Sequence, residues 1–204
     1  MTISTYAELQ TAVTNWLDRS DLSSRIPEFI VLFEAALNRR LAVRQQETST
    51  TLTVTAGATT LPTDYLLWKR VTWQGSPTRY LDYVTPAFLS AFNAAGASGP
   101  PTYFTIEGNT LKVGLLDNTS LSLLYAQKVP PLATTDPNWL LTAHPDAYLF
   151  GTLAAAKTFT TGDEARGAAL SEFKLTVEGI VDDLNKLTFA QMGSVQQRTL
   201  SPTP

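Results

Sequence analysis

The chain contains no cysteine, so disulfides, thiol catalysis and thiolate metal sites are excluded. It has one histidine, His144, which rules out multi-histidine metal centres and forces any histidine-based triad through a single residue. His144 precedes Pro145 at a helix-start signal, where a capping or positioning role explains it more simply. Charge is scarce: 16% of residues are charged, against roughly 25% in soluble domains generally. That leaves neutral surface for partners. With a net charge of −3 and no run of Lys or Arg, the chain lacks the basic footprint of a dedicated nucleic-acid binder. No apolar run approaches the ~18 residues needed to cross a bilayer, and Met1–Glu8 has neither the basic nor the apolar region of a signal peptide. We expect a soluble protein made in the cytoplasm, with no membrane partner. No P-loop or dinucleotide fingerprint is present, and no cofactor is expected.

What is there is helical at both ends and β-patterned between. Thr5-Tyr-Ala-Glu8 has capping-box spacing, and Leu9, Val13, Trp16 and Leu17 recur on one face of a first helix that should stop around Arg19 to Ser23. A second should begin near Ser24 to Pro27 and carry Ile26, Ile30, Phe33, Leu37 and Leu41 inward, with Arg39, Arg40 and Arg44 near its far end, where positive charge complements the dipole. Thr50 to Thr55 alternates polar and apolar residues, as a half-buried strand does. Ala56-Gly57-Ala58 and Leu61 to Asp64 read as corners, Lys69 to Trp73 as a strand, and Tyr80 to Val84 as a segment pairing next to it. Pro86 to Ala95 has the pattern of a short amphipathic helix. Thr102 to Glu107 and Thr110 to Leu115 form a hairpin through Gly108-Asn109. Leu121 to Ala126 is a further strand, and Val129-Pro-Pro-Leu132 closes the β-rich insert in an extended conformation.

A helical hairpin follows. Pro145 and Asp146 suit a first turn, so a helix starts near His144, packed on more than one side through Leu149, Leu153 and Ala156 and through Tyr148, Thr152, Ala155 and Phe159. It ends at Gly162. Asp163 caps the next helix, whose Phe173, Val177, Ile180, Leu184 and Leu187 turn inward. After Gln191 the chain has little capacity for a core of its own and should be held by a neighbour. The expected fold is α+β: a helical bundle of about four main helices with an inserted antiparallel β-rich subdomain and an extended C-terminal tail. Residues 1–47 form the N-terminal helical part, 48–133 the insert with one short helix, 134–190 the helical hairpin, and 191–204 the docking tail.

Catalysis has thin support. The carboxylate pairs Asp18/Asp21 and Asp182/Asp183 suit acid–base work or cation binding in principle, but they fall at a helix end and on a solvated helix surface. No catalytic, metal or cofactor residue is assigned. Trp68, Trp73, Tyr80 and Tyr83 in the insert raise the alternative of a glycan-binding or tail-fibre-like module that stacks sugars on aromatic rings.

An ordered set of residues decides between these readings. It runs Tyr6-x2-Leu9-x3-Val13-x2-Trp16, Asp21, Pro27-Glu-Phe-Ile30-x3-Glu34-x2-Leu37-x3-Leu41, Leu61-Pro62-x-Asp64-Tyr65-Leu66, Pro101-x-Tyr103, Asn138-Trp-Leu-Leu141 and Pro145-Asp-Ala-Tyr-Leu-Phe-Gly151. This pattern resembles the head-to-tail adaptor proteins of tailed bacteriophages, the group that includes the tail tubular A type, over roughly residues 5 to 187. The resemblance implies a structural virion protein at the head–tail junction, made in the host cytoplasm. It implies a ring of about twelve copies beneath the portal protein, continuing the DNA channel, touching passing DNA only transiently, and meeting a downstream tail or nozzle protein. It also implies a C-terminal segment docked on the portal, with Val195 and Leu200 as apolar anchors and Gln196, Gln197 and Arg198 as hydrogen-bonding groups. Subunit contacts are expected on residues 25–46 and 144–187, and Arg39, Arg40 and Arg44 are candidates for contact with lumenal DNA or a partner carboxylate.

Overall fold

The computed structural model describes residues 3–41, 43–95, 99–114, 118–162 and 165–192, with side chains as far as residue 185. Chain order runs α1 (Tyr6–Leu17), α2 (Ile26–Asn38), β1 (Glu47–Val54), β2 (Ala58–Thr60), β3 (Tyr65–Trp73), β4 (Arg79–Tyr80) and β5 (Asp82–Tyr83). It continues with α3 (Pro86–Ala94), β6 (Tyr103–Glu107), β7 (Thr110–Val113), β8 (Thr119–Gln127), α4 (Trp139–Ala143), α5 (Pro145–Thr160) and α6 (Arg166–Met192). Among the described residues the fold is therefore mixed α+β, with six α-helices and two four-stranded sheets. The chain divides into two compact units, residues 46–128 and the remainder.

In the helical unit, α1 starts where the Thr5 hydroxyl accepts from the Glu8 N–H at 3.3 Å. The reciprocal half of the capping box is displaced by one residue, because the Glu8 carboxylate accepts from the N–H and hydroxyl of Ser4, at 2.7 and 2.6 Å. Asp18 ends the helix with φ at 51°. In α2, Ile26, Ile30, Phe33 and Leu37 are buried as their spacing predicts, and Leu41 is buried beyond the end of the helix. The spacing passes over Phe29 and Glu34, which are buried as well. Trp16 departs from its expected place. Leu9 and Val13 of its stripe enter the core, yet Trp16 is 61% exposed. In α6 the inward face holds Val177, Val181 and Leu184, with Phe173 and Ile180 only partly covered. The Asp163 cap, the Leu187 side chain and the tail residues Val195, Gln196, Gln197, Arg198 and Leu200 lie outside the described residues.

In the β unit, β8 is central: one sheet has the order β1-β8-β3-β4 and the other β2-β7-β6-β5. Leu121, Leu123 and Tyr125 alternate inward along β8, as a strand with one covered face requires. Of the two hairpin residues only Gly108 takes a positive φ, 58°, which fits a two-residue turn with Gly at its first central position. Two features differ from the sequence pattern. The Tyr80 to Val84 segment is divided: Tyr80 pairs antiparallel with β3, whereas Asp82 and Tyr83 run parallel to β6. Buried Leu81 between them donates its N–H to Val71 O at 3.0 Å, and the chain changes sheets there. The insert is thus not wholly antiparallel. Val129 and Leu132, read as its close, are instead buried in the core of the helical unit.

One tight contact governs the α2–α5 crossing. A Cβ added at Gly151 would stand 2.2 Å from ring carbons of Phe33, whose side chain is fully buried. Gly151→Ala gains about 0.5–1 kcal/mol of helix propensity, but overpacking a filled core costs about 1–3 kcal/mol. The collision should dominate, and the urea midpoint of the variant should fall.

Candidate functional site

Three of the family-like residues of the helical unit, Glu34, Asn138 and Tyr148, meet in one buried polar cluster. Glu34 of α2 accepts at Oε1 from the Leu132 N–H, at 2.9 Å, and from the Tyr148 hydroxyl, at 3.0 Å. Asn138 Nδ2 donates to that hydroxyl at 2.6 Å and to Pro130 O at 2.7 Å. Its Oδ1 accepts from the Leu141 N–H at 2.9 Å, so the same side chain caps α4. Nearby, Asn38 Oδ1 accepts from the Val129 N–H at 2.8 Å. Two side chains of α2 therefore take up backbone donors of the segment entering from the insert, which would otherwise be buried without partners. Burial pushes the Glu34 carboxyl above the ordinary carboxylate range, against the lowering effect of its two hydrogen bonds. Burial first, and the Glu34 carboxylate second, push the Tyr148 hydroxyl up.

Such a cluster is built to hold helices, since its donors and acceptors are used on one another. His144 behaves likewise. It joins α4 to α5 through its backbone, the N–H donating to Leu140 O at 2.7 Å and the carbonyl accepting from Ala147 N at 3.2 Å. Its side chain makes no capping hydrogen bond. Asp21 is ion-paired with Arg19 at 2.6 Å, and Asp182 and Asp183 are exposed on α6. Among the described residues no cluster of three potential metal ligands occurs, and no helix is long and apolar enough to cross a membrane.

In the β unit the Leu61 to Leu66 motif is a fastening. The Tyr125 hydroxyl donates to Asp64 Oδ1 at 3.0 Å, and the Lys128 N–H to Asp64 O at 2.7 Å. Burial, with that carboxylate beside it, pushes Tyr125 up to about 12. Tyr103 packs edge-on against Phe88 and Phe92 of α3. The aromatic residues considered for sugar stacking are mostly engaged internally. Trp68 stacks on Tyr83 and meets Phe104 edge-on, and the Trp73 indole N–H donates to Thr119 at 2.8 Å. Tyr80 is the most open of the four, under the Arg70 guanidinium at 5.6 Å.

The helical unit carries the larger apolar surface. A groove of about 560 Å³ opens between α2, α5 and α6, lined by Phe29, Leu32, Phe159, Leu170 and Phe173 among others. Leu32 is 55% and Phe159 47% exposed. The Arg25 guanidinium covers the Phe159 ring at 4.9 Å. A second hollow shares Leu170 and Phe173 and extends to Arg39 and Arg40. Elsewhere Trp16 and Phe150 form an exposed edge-to-face pair, 5.9 Å between centroids at 85°. A family model described as SU10 adaptor protein matches residues 4–199. The chain belongs to the SU10 adaptor protein family. Membership points to a structural role as a phage adaptor at the head–tail junction of the virion. No curated protein matches the sequence.

For an SU10 adaptor protein the surface matters more than any cleft with reactive groups. Arg40 is committed to Glu178 of α6 through an ion pair. Arg39 follows α2 as its C-cap and Arg44 lies in a short 3-10 turn; both are exposed, without an ion pair among the described residues. Leu32 and Leu170 were not singled out in the sequence, and Phe150 entered only as part of the Pro145 to Gly151 motif. Their signal was present, as apolar residues on helices that stand off the core stripe.

Two substitutions test the cluster. Tyr148→Phe leaves a carboxylate oxygen and an amide N–H without their shared partner, and should cost about 1–3 kcal/mol in denaturant unfolding. Because the folded state raises the Glu34 pKa, it holds that proton more tightly than the unfolded chain. This group's contribution is full below the ordinary Glu pKa of about 4.3 and is lost as pH rises through the folded value. Glu34→Gln keeps the acceptor without the charge. Urea midpoints from pH 4 to pH 8 should show wild type losing stability relative to the variant as pH rises.

Proposed function

We propose that this chain forms the adaptor ring between a phage portal and its tail, with about twelve copies continuing the DNA channel to a downstream tail or nozzle protein. The match to the SU10 adaptor family over residues 4–199 carries this reading. Two physical features support it. The chain is poor in charge, at 16% of residues, as suits a channel component that must let DNA slide rather than bind its phosphates. The helical unit also exposes Trp16, Leu32, Phe150, Phe159, Leu170 and Leu175, most of them gathered in the groove and the Trp16–Phe150 pair, and grouped apolar exposure of that kind marks a contact surface.

Within this reading Arg39 and Arg44 meet lumenal DNA or a partner carboxylate, while Arg40 serves the α2–α6 contact through Glu178. Residues 191–204 dock on the portal, Val195 and Leu200 as apolar anchors and Gln196, Gln197 and Arg198 through hydrogen bonds. Native mass spectrometry of the purified protein, alone and mixed with the portal protein, tests the assignment. The expected result is a small species that becomes a ring on the portal. A species whose mass is indifferent to the portal would overturn it. Removing residues 192–204 should abolish portal attachment while leaving the thermal transition of the helical and β units in place. Undiminished attachment would remove the tail from the interface.

A further inference from the structure

The two exposed apolar features of the helical unit differ in shape and direction. Phe150 and Phe159 lie on the same helix, nine positions apart. At 3.6 residues per turn they are about half a turn out of phase and about 13 Å apart along the axis. Trp16 rests on Phe150, and Phe159 lines the groove with Phe29, Leu32, Leu170 and Phe173. A projecting aromatic pair thus stands on one side of α5 and a receptive groove on the other. The net charges beside them are of opposite sign, the Arg19–Asp21 pair near Trp16 cancelling itself. Exposed Asp18 follows Trp16 by two residues, and exposed Asp146 lies one turn before Phe150. At the groove stand Arg25, over the Phe159 ring and ion-paired with Glu28 at 3.5 Å, and Arg166, so that two cations meet one acid there and the net charge is positive.

We propose that the Trp16–Phe150 pair is a knob that inserts into the α2–α5–α6 groove of a second copy of this chain. The proposal rests on the adaptor reading and names the surfaces by which its subunits join. A knob and its socket on opposite sides of one helix make a head-to-tail contact, the kind that closes rings, whereas a two-fold dimer requires one patch to face itself. Asp18 and Asp146 then approach Arg25 and Arg166 across the joint. Two aromatic side chains bury at most about 500 Å² between them, short of the roughly 800 Å² per partner of a stable interface. The knob is accordingly the anchor of the contact, with the flanking helix surface supplying the remainder.

The native absence of cysteine permits a direct test. Trp16→Cys and Leu32→Cys proteins, mixed on the portal and oxidised, should give a cross-linked dimer on a non-reducing gel, and either protein alone should give none. In parallel, Trp16→Lys and Leu32→Lys should each still reach the portal through the tail but lose the copy-to-copy contacts that close the ring there. Mixed together they should give a 1:1 pair that grows no further, because one intact knob meets one intact groove. Both positions are exposed, and thermal transitions measured by circular dichroism check that the variants fold; the cysteine pair reads the contact independently of the lysine variants. A cross-linked dimer from the Trp16→Cys protein alone would overturn the proposal in favour of a two-fold contact. Loss of assembly with Leu32→Lys but not Trp16→Lys would overturn it by giving the groove to the portal or to residues 193–204. A portal-bound ring with no cross-link would overturn it while leaving the adaptor reading intact. A chain that never associates with itself or the portal would overturn both.

Discussion

A carboxylate buried at position 34 is the constraint on which the helical unit depends. Alone, such a group is too costly to keep away from water, so its site must supply donors in fixed places. Here one donor is the Tyr148 hydroxyl and the other the Leu132 backbone. Tyr148 in turn needs its position on α5, and Asn138 needs both Tyr148 and the start of α4. Three separated stretches of sequence are thereby held to one another, although the hydrogen bonds concerned are few. Removing any one participant strands the others, which is why a network of this kind acts on the choice of a single arrangement more than on gross stability.

The residues that carried the family resemblance have these physical duties. Asn138 is a cap and a bridge, Pro145 opens α5, Tyr148 closes the cluster, and Gly151 admits Phe33. Asp64 is the acceptor that fastens the corner before β3 to the end of β8. None of these duties concerns chemistry on a substrate. They concern how closely two helices approach, or which backbone group finds a partner. A pattern of this sort identifies an architecture, and the family's role follows from the architecture's surface.

Much of the local structure was legible because its causes are local. The Thr5 cap, the inward stripe of α2, the Pro145 start and the turn at Gly108 each depend on residues within a few positions of one another. The failures share a different cause. Nothing in a helical period distinguishes Trp16, which faces water, from Leu9, which does not, because the neighbour that decides is on α5. In sequence Glu34 figures only as part of the family-like pattern, and its burial was not legible because its donors are about a hundred residues away. The segment from Tyr80 to Val84 has the composition of one strand, and only the demand for Leu81 in the core divides it between sheets. The exposed groove was invisible for the same reason: it is made of three helices, none of which is unusual alone.

The first and last strands of the insert are direct neighbours, Glu47 lying opposite Ala126. The ends of the β unit are therefore brought together by its own pairing, and the entropy of closing so long an excursion is met inside the insert. To the helices, residues 46–128 are equivalent to a short connection between two adjacent points. An arrangement of this kind is interchangeable: a larger, smaller or differently decorated β unit with the same paired ends can be exchanged in one step while the Glu34 cluster and the helix surfaces stay as they are. Variation in the β unit is thus separable from constancy in how the helices are held together.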